Sequence, residues 1–162
     1  MARLLETVGT VLSELGFQIV HNKTKTPFLT SDNPVVWFDP SVPNEKLQPY
    51  AIRPEGPIAL FFPVAPDCMI YGHTTFHDRF VVEGCAEREL SDETQVKNVN
   101  RMLCRFAYQA VFSKEASQRE CVKEFAHESP VLKISYFPGV NGPVGQLSQV
   151  FGTRATKPKW ED

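Results

Sequence analysis

One short polar segment holds the side chains best suited to chemistry in this sequence: Thr30-Ser31-Asp32-Asn33, followed at once by Pro34. Asp32 is a candidate general base or metal ligand, and Asn33 is a candidate donor to an oxyanion or a phosphate oxygen. Thr30 and Ser31 add hydroxyl groups that donate hydrogen bonds. The segment therefore predicts a polar site in which Asp32 and Asn33 are catalytic and Thr30 and Ser31 bind the ligand.

The same segment also has a structural interpretation. Apolar, strand-like residues flank it on both sides, at 28–29 and 35–36. Serine, aspartate and asparagine hydrogen-bond to the backbone in tight turns, and Pro34 fixes the direction in which the chain leaves. These residue types favour a turn that holds the fold together, and the catalytic interpretation stays open beside it.

Asn100 is a further candidate binding residue. It falls beside the apolar stripe of a predicted helix, one position from Val99 and three from Leu103. A partly buried asparagine needs hydrogen-bond partners, and the Thr30–Asn33 turn offers them. Either Asn100 faces Asp32, so that the helix and the turn share one polar pocket, or it only fixes the packing of the helix against a loop.

His73 and His77, with Asp78 next to the second, have the spacing of metal ligands on one face of a helix. The zinc-protease pattern requires glutamate directly after the first histidine, and Thr74 stands there instead. Threonine is also a poor helix former. We therefore predict an exposed loop with two ordinary histidines and no metal site.

Bulk composition narrows the class of protein. The chain has 162 residues, of which 42% are hydrophobic and 22% charged, as is typical of one globular domain. The net charge of −2 does not indicate a nucleic-acid partner. Four cysteines without a CxxC pair predict buried thiols in a reduced, cytoplasmic protein, and no apolar run is long enough to span a membrane. Nucleotide-binding and hydrolase motifs do not occur, and the sequence specifies no cofactor.

Periodicity places the candidate residues on elements. Helices are predicted at residues 1–15 and 91–112, and strands at 17–20, 28–29, 35–38, 58–62, 68–71, 81–82 and 131–137. The first two strands are close enough in sequence to form a hairpin. Proline-rich residues 39–57 predict a long surface excursion. The pattern predicts an α+β fold, with an antiparallel or mixed sheet of about five strands packed against one long helix and a shorter N-terminal helix.

The domain organisation follows from this pattern. We expect residues 1–138 to form a single domain. Residues 139–162 are rich in glycine and are predicted to form a poorly ordered tail. The sequence begins directly with a helical pattern, which leaves little room for a preceding domain.

With these residues in place, the chain resembles bacterial proteins catalogued as domain of unknown function 4238. Thr30-Ser31-Asp32-Asn33-Pro34, between Pro27-Phe28-Leu29 and Val35-Val36, is similar to the hallmark of that family. Further segments resemble the strand turn and the asparagine-bearing helix of the family: Phe62-Pro63-Val64-Ala65-Pro66-Asp67, Asn98, Asn100, Ala107 and Val111-Phe112-Ser113. The resemblance spans roughly Phe17 to Ser113.

The resemblance implies that the chain is the C-terminal half of a larger family protein. An N-terminal family segment of the type H-x-x-P-x-x-[YF]-L does not occur in it. The implied partner is that missing half or another protein. Because the family name implies no established activity, two functions stay open. We favour an interaction or structural module, and the alternative is a hydrolase or nuclease-like enzyme centred on the Thr30–Asn33 turn.

Overall fold

The computed structural model describes residues 9–53, 55–138, 142 and 144–154, which form an α+β fold. The strands in these residues are β1 (Gly16–Asn22), β2 (Thr30–Ser31), β3 (Val36–Phe38), β4 (Ala59–Ala65), β5 (Cys68–His73), β6 (Ala86–Leu90), β7 (Val111–Phe112), β8 (Glu128–Phe137) and β9 (Val144–Thr153). The helices are α1 (His77–Glu83), α2 (Glu93–Phe106) and α3 (Arg119–Phe125), with 3-10 turns at Thr74–Phe76 and Ala116–Gln118. Residues 9–13 are also helical, and the first eight residues of the predicted helix 1–15 lie outside the described part.

Five strands form one mixed sheet in the order β3-β4-β5-β1-β6, which confirms the predicted sheet type and size. β1 and β6 are parallel, and the other neighbours are antiparallel. The predicted hairpin between residues 17–20 and 28–29 is wrong, because β1 pairs with β5 and β6 instead. Residues 81–82, predicted as an edge strand, belong to α1, and β6 is the strand at that edge.

The chain has several short helices instead of the one long helix predicted. α2 begins after Asp92, whose side chain accepts a hydrogen bond from the Thr94 N–H at 2.8 Å. It ends at Phe106 after 14 residues, short of the predicted end at residue 112. No helix among the described residues is long and apolar enough to cross a lipid bilayer.

The main core joins α2 to the sheet. Val96, Val99 and Leu103 of α2 are buried in one cluster with Val20 of β1 and Met69 of β5. These α2 residues recur every three or four positions, so they lie on one face of the helix. Their burial fixes α2 against the sheet and thereby fixes the position of its C-terminal end.

Two further strand pairs lie outside the five-stranded sheet. β2 pairs with β7, so that Thr30 is opposite Phe112. β8 and β9 form a long antiparallel hairpin. Residues 144–153 fall in the segment predicted to be a poorly ordered tail, yet they form β9 because every one of them pairs with a residue of β8. Residues 139–141, 143 and 155–162 of that predicted tail lie outside the described residues.

Candidate functional site

The Thr30–Pro34 turn is closed by Ser31. Ser31 Oγ donates to the Asn33 carbonyl oxygen at 2.9 Å and accepts from the Asn33 N–H at 3.1 Å. Ser31 is buried, and a buried hydroxyl without a partner is costly. Its hydrogen bonds therefore serve its own turn, while Thr30 precedes it in the ladder between β2 and β7.

The Asp32 carboxylate binds the segment that follows α2. The Tyr108 N–H donates to Asp32 Oδ1 at 3.0 Å, and the Gln109 N–H donates to Oδ2 at 2.8 Å. The Asp32 N–H donates in turn to the Ala110 carbonyl at 3.1 Å. Asp32 is exposed to solvent, but both of its carboxylate oxygens hold backbone amides. Because these amides no longer donate to helical carbonyls, the contact accounts for the early end of α2.

Asn33 covers the C-terminal end of α2. Its Nδ2 donates to the Phe106 carbonyl at 2.9 Å, one of the carbonyls that a helix end leaves without an internal partner. The same nitrogen donates to the Tyr50 hydroxyl. The Tyr50 ring packs between Trp37 and Phe106, with centroid distances of 4.5 and 5.1 Å. Burial raises the pKa of Tyr50 to about 12, so its phenol stays neutral near pH 7.

Asn100 does not face Asp32. Its side chain is fully buried, its Oδ1 accepts from the Leu29 N–H at 2.9 Å, and its Nδ2 donates to the Pro27 carbonyl at 2.9 Å. The carboxamide therefore replaces a backbone partner for the segment that leads into the turn. Asn100 and Asp32 therefore do not share a polar pocket. The Asn100 side chain instead accepts one hydrogen bond from that segment and donates one to it.

Arg154, the last residue that the structure describes, forms hydrogen bonds to the same region. Its guanidinium donates to the carbonyls of Ala107 at 2.9 Å, Tyr108 at 3.0 Å and Ala126 at 2.8 Å. Burial lowers the pKa of Arg154, and the nearby Asp32 carboxylate opposes that shift. Arg154 thus satisfies helix-terminal carbonyls after both α2 and α3.

An open apolar groove of about 510 Å³ adjoins the turn. Residues 28–30, 34, 62–66 and 112–114 line it. Val64 and Phe112 are 51% and 55% exposed, so the groove presents uncovered hydrophobic surface. Lys114 is the one charged side chain among the described residues that line it. The groove is thus suited to an apolar group with a negative charge beside it.

Comparison with known proteins identifies the family. A family model described as "Protein of unknown function (DUF4238)" matches residues 1–117. The chain belongs to the DUF4238 family. Searches of the curated proteins and of the solved structures find no match.

The DUF4238 match contains the whole of the turn and of the groove. Both are built from residues between 28 and 114, and the match ends at residue 117. The β8–β9 hairpin and Arg154 lie beyond the matched residues. The turn and the groove therefore lie in the part of the chain that the family model matches, and the hairpin follows that part.

A smaller polar hollow of about 200 Å³ shares two lining residues with the groove. Pro66 and Lys114 line both spaces, and Lys25, Asp67 and Glu115 line the hollow alone. The hollow holds charges of both signs, whereas the groove holds only the ammonium of Lys114. A ligand that occupies both spaces would place its apolar part in the groove and its polar part in the hollow.

A buried carboxylate lies in the excursion after β3. Asp39 is 1% exposed and forms an ion pair with Arg53, whose Nε lies 2.6 Å from Oδ2. Burial acts to raise the pKa of Asp39, but hydrogen bonds from Ser41 and Arg53 outweigh it and hold the pKa below its usual value. Each partner belongs to the excursion itself, which indicates that Asp39 folds this loop.

The two histidines lie on either side of the 3-10 turn at Thr74–Phe76 and not on one helical face. His73 ends β5, and its Nδ1 accepts from the Thr75 N–H at 3.1 Å as the cap of the following turn. Burial lowers the pKa of His73. His77 begins α1, next to Asp78. The described residues contain no group of three or more histidine, cysteine or acidic side chains placed to hold a metal ion.

No motif in the sequence marks the partners of the turn, which are Tyr50, the backbone amides of Tyr108 and Gln109, and Arg154. The sequence also gives no signal for the early end of α2, because Ala110 continues its apolar stripe at helical spacing beyond Phe106.

Proposed function

We propose that the chain is an interaction module whose groove binds a segment of a partner protein. One observation carries this proposal: the Ser31 hydroxyl, the Asp32 carboxylate and the Asn33 side-chain nitrogen are engaged by the fold, while the apolar groove beside the turn is open. A turn whose candidate catalytic groups already hold the fold together serves better as the wall of a groove than as a reaction centre. Exposed apolar surface of this kind is typical of binding sites.

The partner segment inserts side chains and does not add a strand to the sheet. β3 pairs with residues 59–61 of β4. Residues 62–65 of β4 therefore have no strand partner on that side among the described residues, and this edge lies beside the groove. Pro63 lies in that part and has no N–H to donate. Strand addition requires a regular row of backbone donors. Packing against Phe62, Val64 and Phe112 is the remaining mode of recognition.

The chemistry of the groove specifies its occupant. The walls are hydrocarbon and aromatic, and the single charged group among the described lining residues is the ammonium of Lys114. A segment that carries an apolar side chain beside an aspartate or a glutamate matches both features. The two proposed sources of the segment are the N-terminal half that the family resemblance implies and a separate protein.

A selection from a displayed random-peptide library tests the proposal. We expect the immobilised full chain to enrich peptides that pair an apolar residue with an acidic one. Their dissociation constant should rise roughly tenfold or more, which is about 1.4 kcal/mol, in Val64→Glu and Lys114→Glu. The control Val82→Glu places the same charge on α1, where Val82 is 83% exposed, and should bind like the wild type.

Two outcomes contradict the proposal. The first is that the full chain enriches no peptide. The second is that the enriched peptides bind Val64→Glu as tightly as the wild type. Circular dichroism of each variant verifies that a loss of binding does not reflect a loss of folding.

The alternative, a hydrolase or nuclease-like enzyme, rests on one observation. Asp32 is exposed, and the Asn33 amide and the Tyr50 phenol lie in the same turn region. To act as a general base, the Asp32 carboxylate would have to accept a proton while it holds two backbone amides. If a hydrolytic activity were found, Asp32→Asn should abolish it while Asp78→Asn retains it.

A further inference from the structure

The outer part of the β8–β9 hairpin extends away from the core as an arm, which we define as residues 132–137 and 144–149. Its base is held in place, since Ser129 and Pro130 are buried and Phe151 packs on Phe106 with centroids 5.0 Å apart. The arm itself is open to solvent on both faces, because neighbouring residues of β8 that point to opposite faces, such as Leu132 and Lys133, are both exposed. The fold therefore anchors a ribbon that it does not cover.

One face of the arm is apolar. Leu132, Ile134 and Tyr136 alternate along β8 and are 65%, 57% and 70% exposed. Leu147 is opposite Ile134 and is 60% exposed, and Gly145 is opposite Tyr136. Residues that pair directly across an antiparallel ladder lie on the same face. The face thus carries four large apolar side chains, one polar side chain at Gln149 opposite Leu132, and no charge.

The outer edge of β9 is unprotected. β9 has β8 as its one strand neighbour within the described part of the chain. Its ten residues, Val144–Thr153, contain no proline and no charged residue. Natural proteins usually protect a free edge with lysine, proline or a bulge, and an edge without them is a template for another strand. β8, in contrast, carries Pro130 and Lys133.

We propose that β9 pairs antiparallel with β9 of a second copy of this chain. The two hairpins would then form one four-stranded sheet around a two-fold axis, with the apolar faces of both arms on the same surface. A second copy fits because an uncharged edge meets an identical uncharged edge without like-charge repulsion. A two-stranded ribbon is marginally stable alone, and four strands with an apolar face are not. This proposal is independent of the groove, which lies elsewhere in residues 28–114.

Sedimentation velocity of the full chain over a range of concentrations tests the proposal. The wild type should sediment with twice the mass of one chain at high concentration and dissociate on dilution. Leu147→Glu should shift the dissociation constant at least roughly tenfold toward the monomer, since the strand pair would then contain two added negative charges. Gln146→Lys provides a second variant at an exposed position of the same strand.

Val82→Glu is the matched control and should dimerise like the wild type, because Val82 lies on α1. Hydrogen exchange gives a second readout: the amides of β9 should be more protected at high concentration than at low concentration. The proposal is overturned if the wild type remains a monomer, which would leave the edge to a different partner. It is equally overturned if the dimer persists in both Leu147→Glu and Gln146→Lys, or if Val82→Glu disrupts it.

Discussion

At the scale of single residues, Asp32 and Asn33 join two segments that are far apart in sequence. Asp32 accepts hydrogen bonds from two backbone amides that follow it by 76 and 77 positions in the sequence. Asn33 reaches the end of α2 over a separation of 73. These side chains connect the turn to the end of α2. The Asp32 acceptors and the Asn33 donor are therefore already occupied in the folded chain.

Removing the Asp32 carboxylate should therefore reduce stability. We expect Asp32→Ala to lower the free energy of unfolding by about 1 kcal/mol, because two amides lose a charged acceptor but are near enough to the surface to bind water. Urea denaturation measures the change. Asp78→Ala is the control, since the Asp78 side chain is fully exposed and contacts only His77. Equal stability of the two variants would contradict the role assigned to Asp32.

Asn100 should matter more, because no water can replace it. Asn100→Ala leaves the Leu29 N–H and the Pro27 carbonyl buried without a partner. We expect a loss of about 3 kcal/mol of unfolding free energy. Asn98→Ala changes an exposed position of the same helix and should cost less than about 0.5 kcal/mol. Similar losses in the two variants would show that the carboxamide of Asn100 contributes little.

The sequence predicted the turn itself but not what it contacts. Residue types such as Ser31 and Pro34 act on their own neighbours, so local rules foresee a turn. The contacts of Asp32 and Asn100 depend on how α2 packs across the sheet, which no local rule contains. The sequence predicts that Asn100 needs hydrogen-bond partners. Its side chain finds them in the segment before the turn and not in Asp32.

At the scale of elements, the excursion at residues 39–57 contains an ion pair in which the carboxylate is buried and the guanidinium is exposed. Asp39 is inaccessible, whereas the Arg53 side chain that neutralises it is 62% exposed. Because the pKa of Asp39 lies below its usual value of 3.8 in the folded chain, its contribution to stability is fully present above that value. The contribution is lost as the pH falls through the lowered pKa.

Asp39→Asn should therefore lower the melting temperature at pH 7 and flatten its decline below about pH 4. The stability that other acidic groups with lowered pKa contribute, such as Asp92 and Glu93, is lost in the same range of acidic pH. The difference between the wild type and the variant isolates Asp39. Calorimetry from pH 2 to pH 7 measures it, with Asp78→Asn as the control. Parallel curves for the wild type and Asp39→Asn would contradict this assignment.

The elements that were predicted well are those with a strong internal pattern. β4, β5 and the apolar stripe of α2 have clear runs or periods. β6 was missed because its sequence Ala-Glu-Arg-Glu-Leu is mostly charged, and it is held at a sheet edge by pairing with β1. The end of α2 was missed because it is set by Asp32 and Asn33, which lie in another element.

At the scale of the whole molecule, Arg154 connects the last described strand to the ends of α2 and α3. Lysine keeps the charge, but its three donors sit on one atom, so it cannot span the separate carbonyls that the planar guanidinium reaches. We expect Arg154→Lys to lower the free energy of unfolding by about 2 kcal/mol. Urea denaturation measures this, and Arg79→Lys on the exposed face of α1 is the control. A loss no greater than that of Arg79→Lys would contradict the role of Arg154.

At the same scale, the part of the chain that the family model matches can be distinguished from the part that follows it. Residues 1–117 match DUF4238 and contain the turn and the groove, whereas the hairpin follows them. We infer that the two parts have different partners. The groove recognises an apolar and acidic segment, and the hairpin pairs with a second copy of the chain.

The binding role of the groove is tested most directly by amide chemical-shift mapping of the full chain during a titration with anilinonaphthalene sulfonate. This probe combines aromatic rings with a negative charge, as the proposed partner segment does. We predict that the largest shifts occur at the amides of Phe62, Val64, Phe112 and Lys114, which line the groove. Shifts confined to the amides around Tyr108, next to Asp32, or to the β8–β9 hairpin would contradict the account.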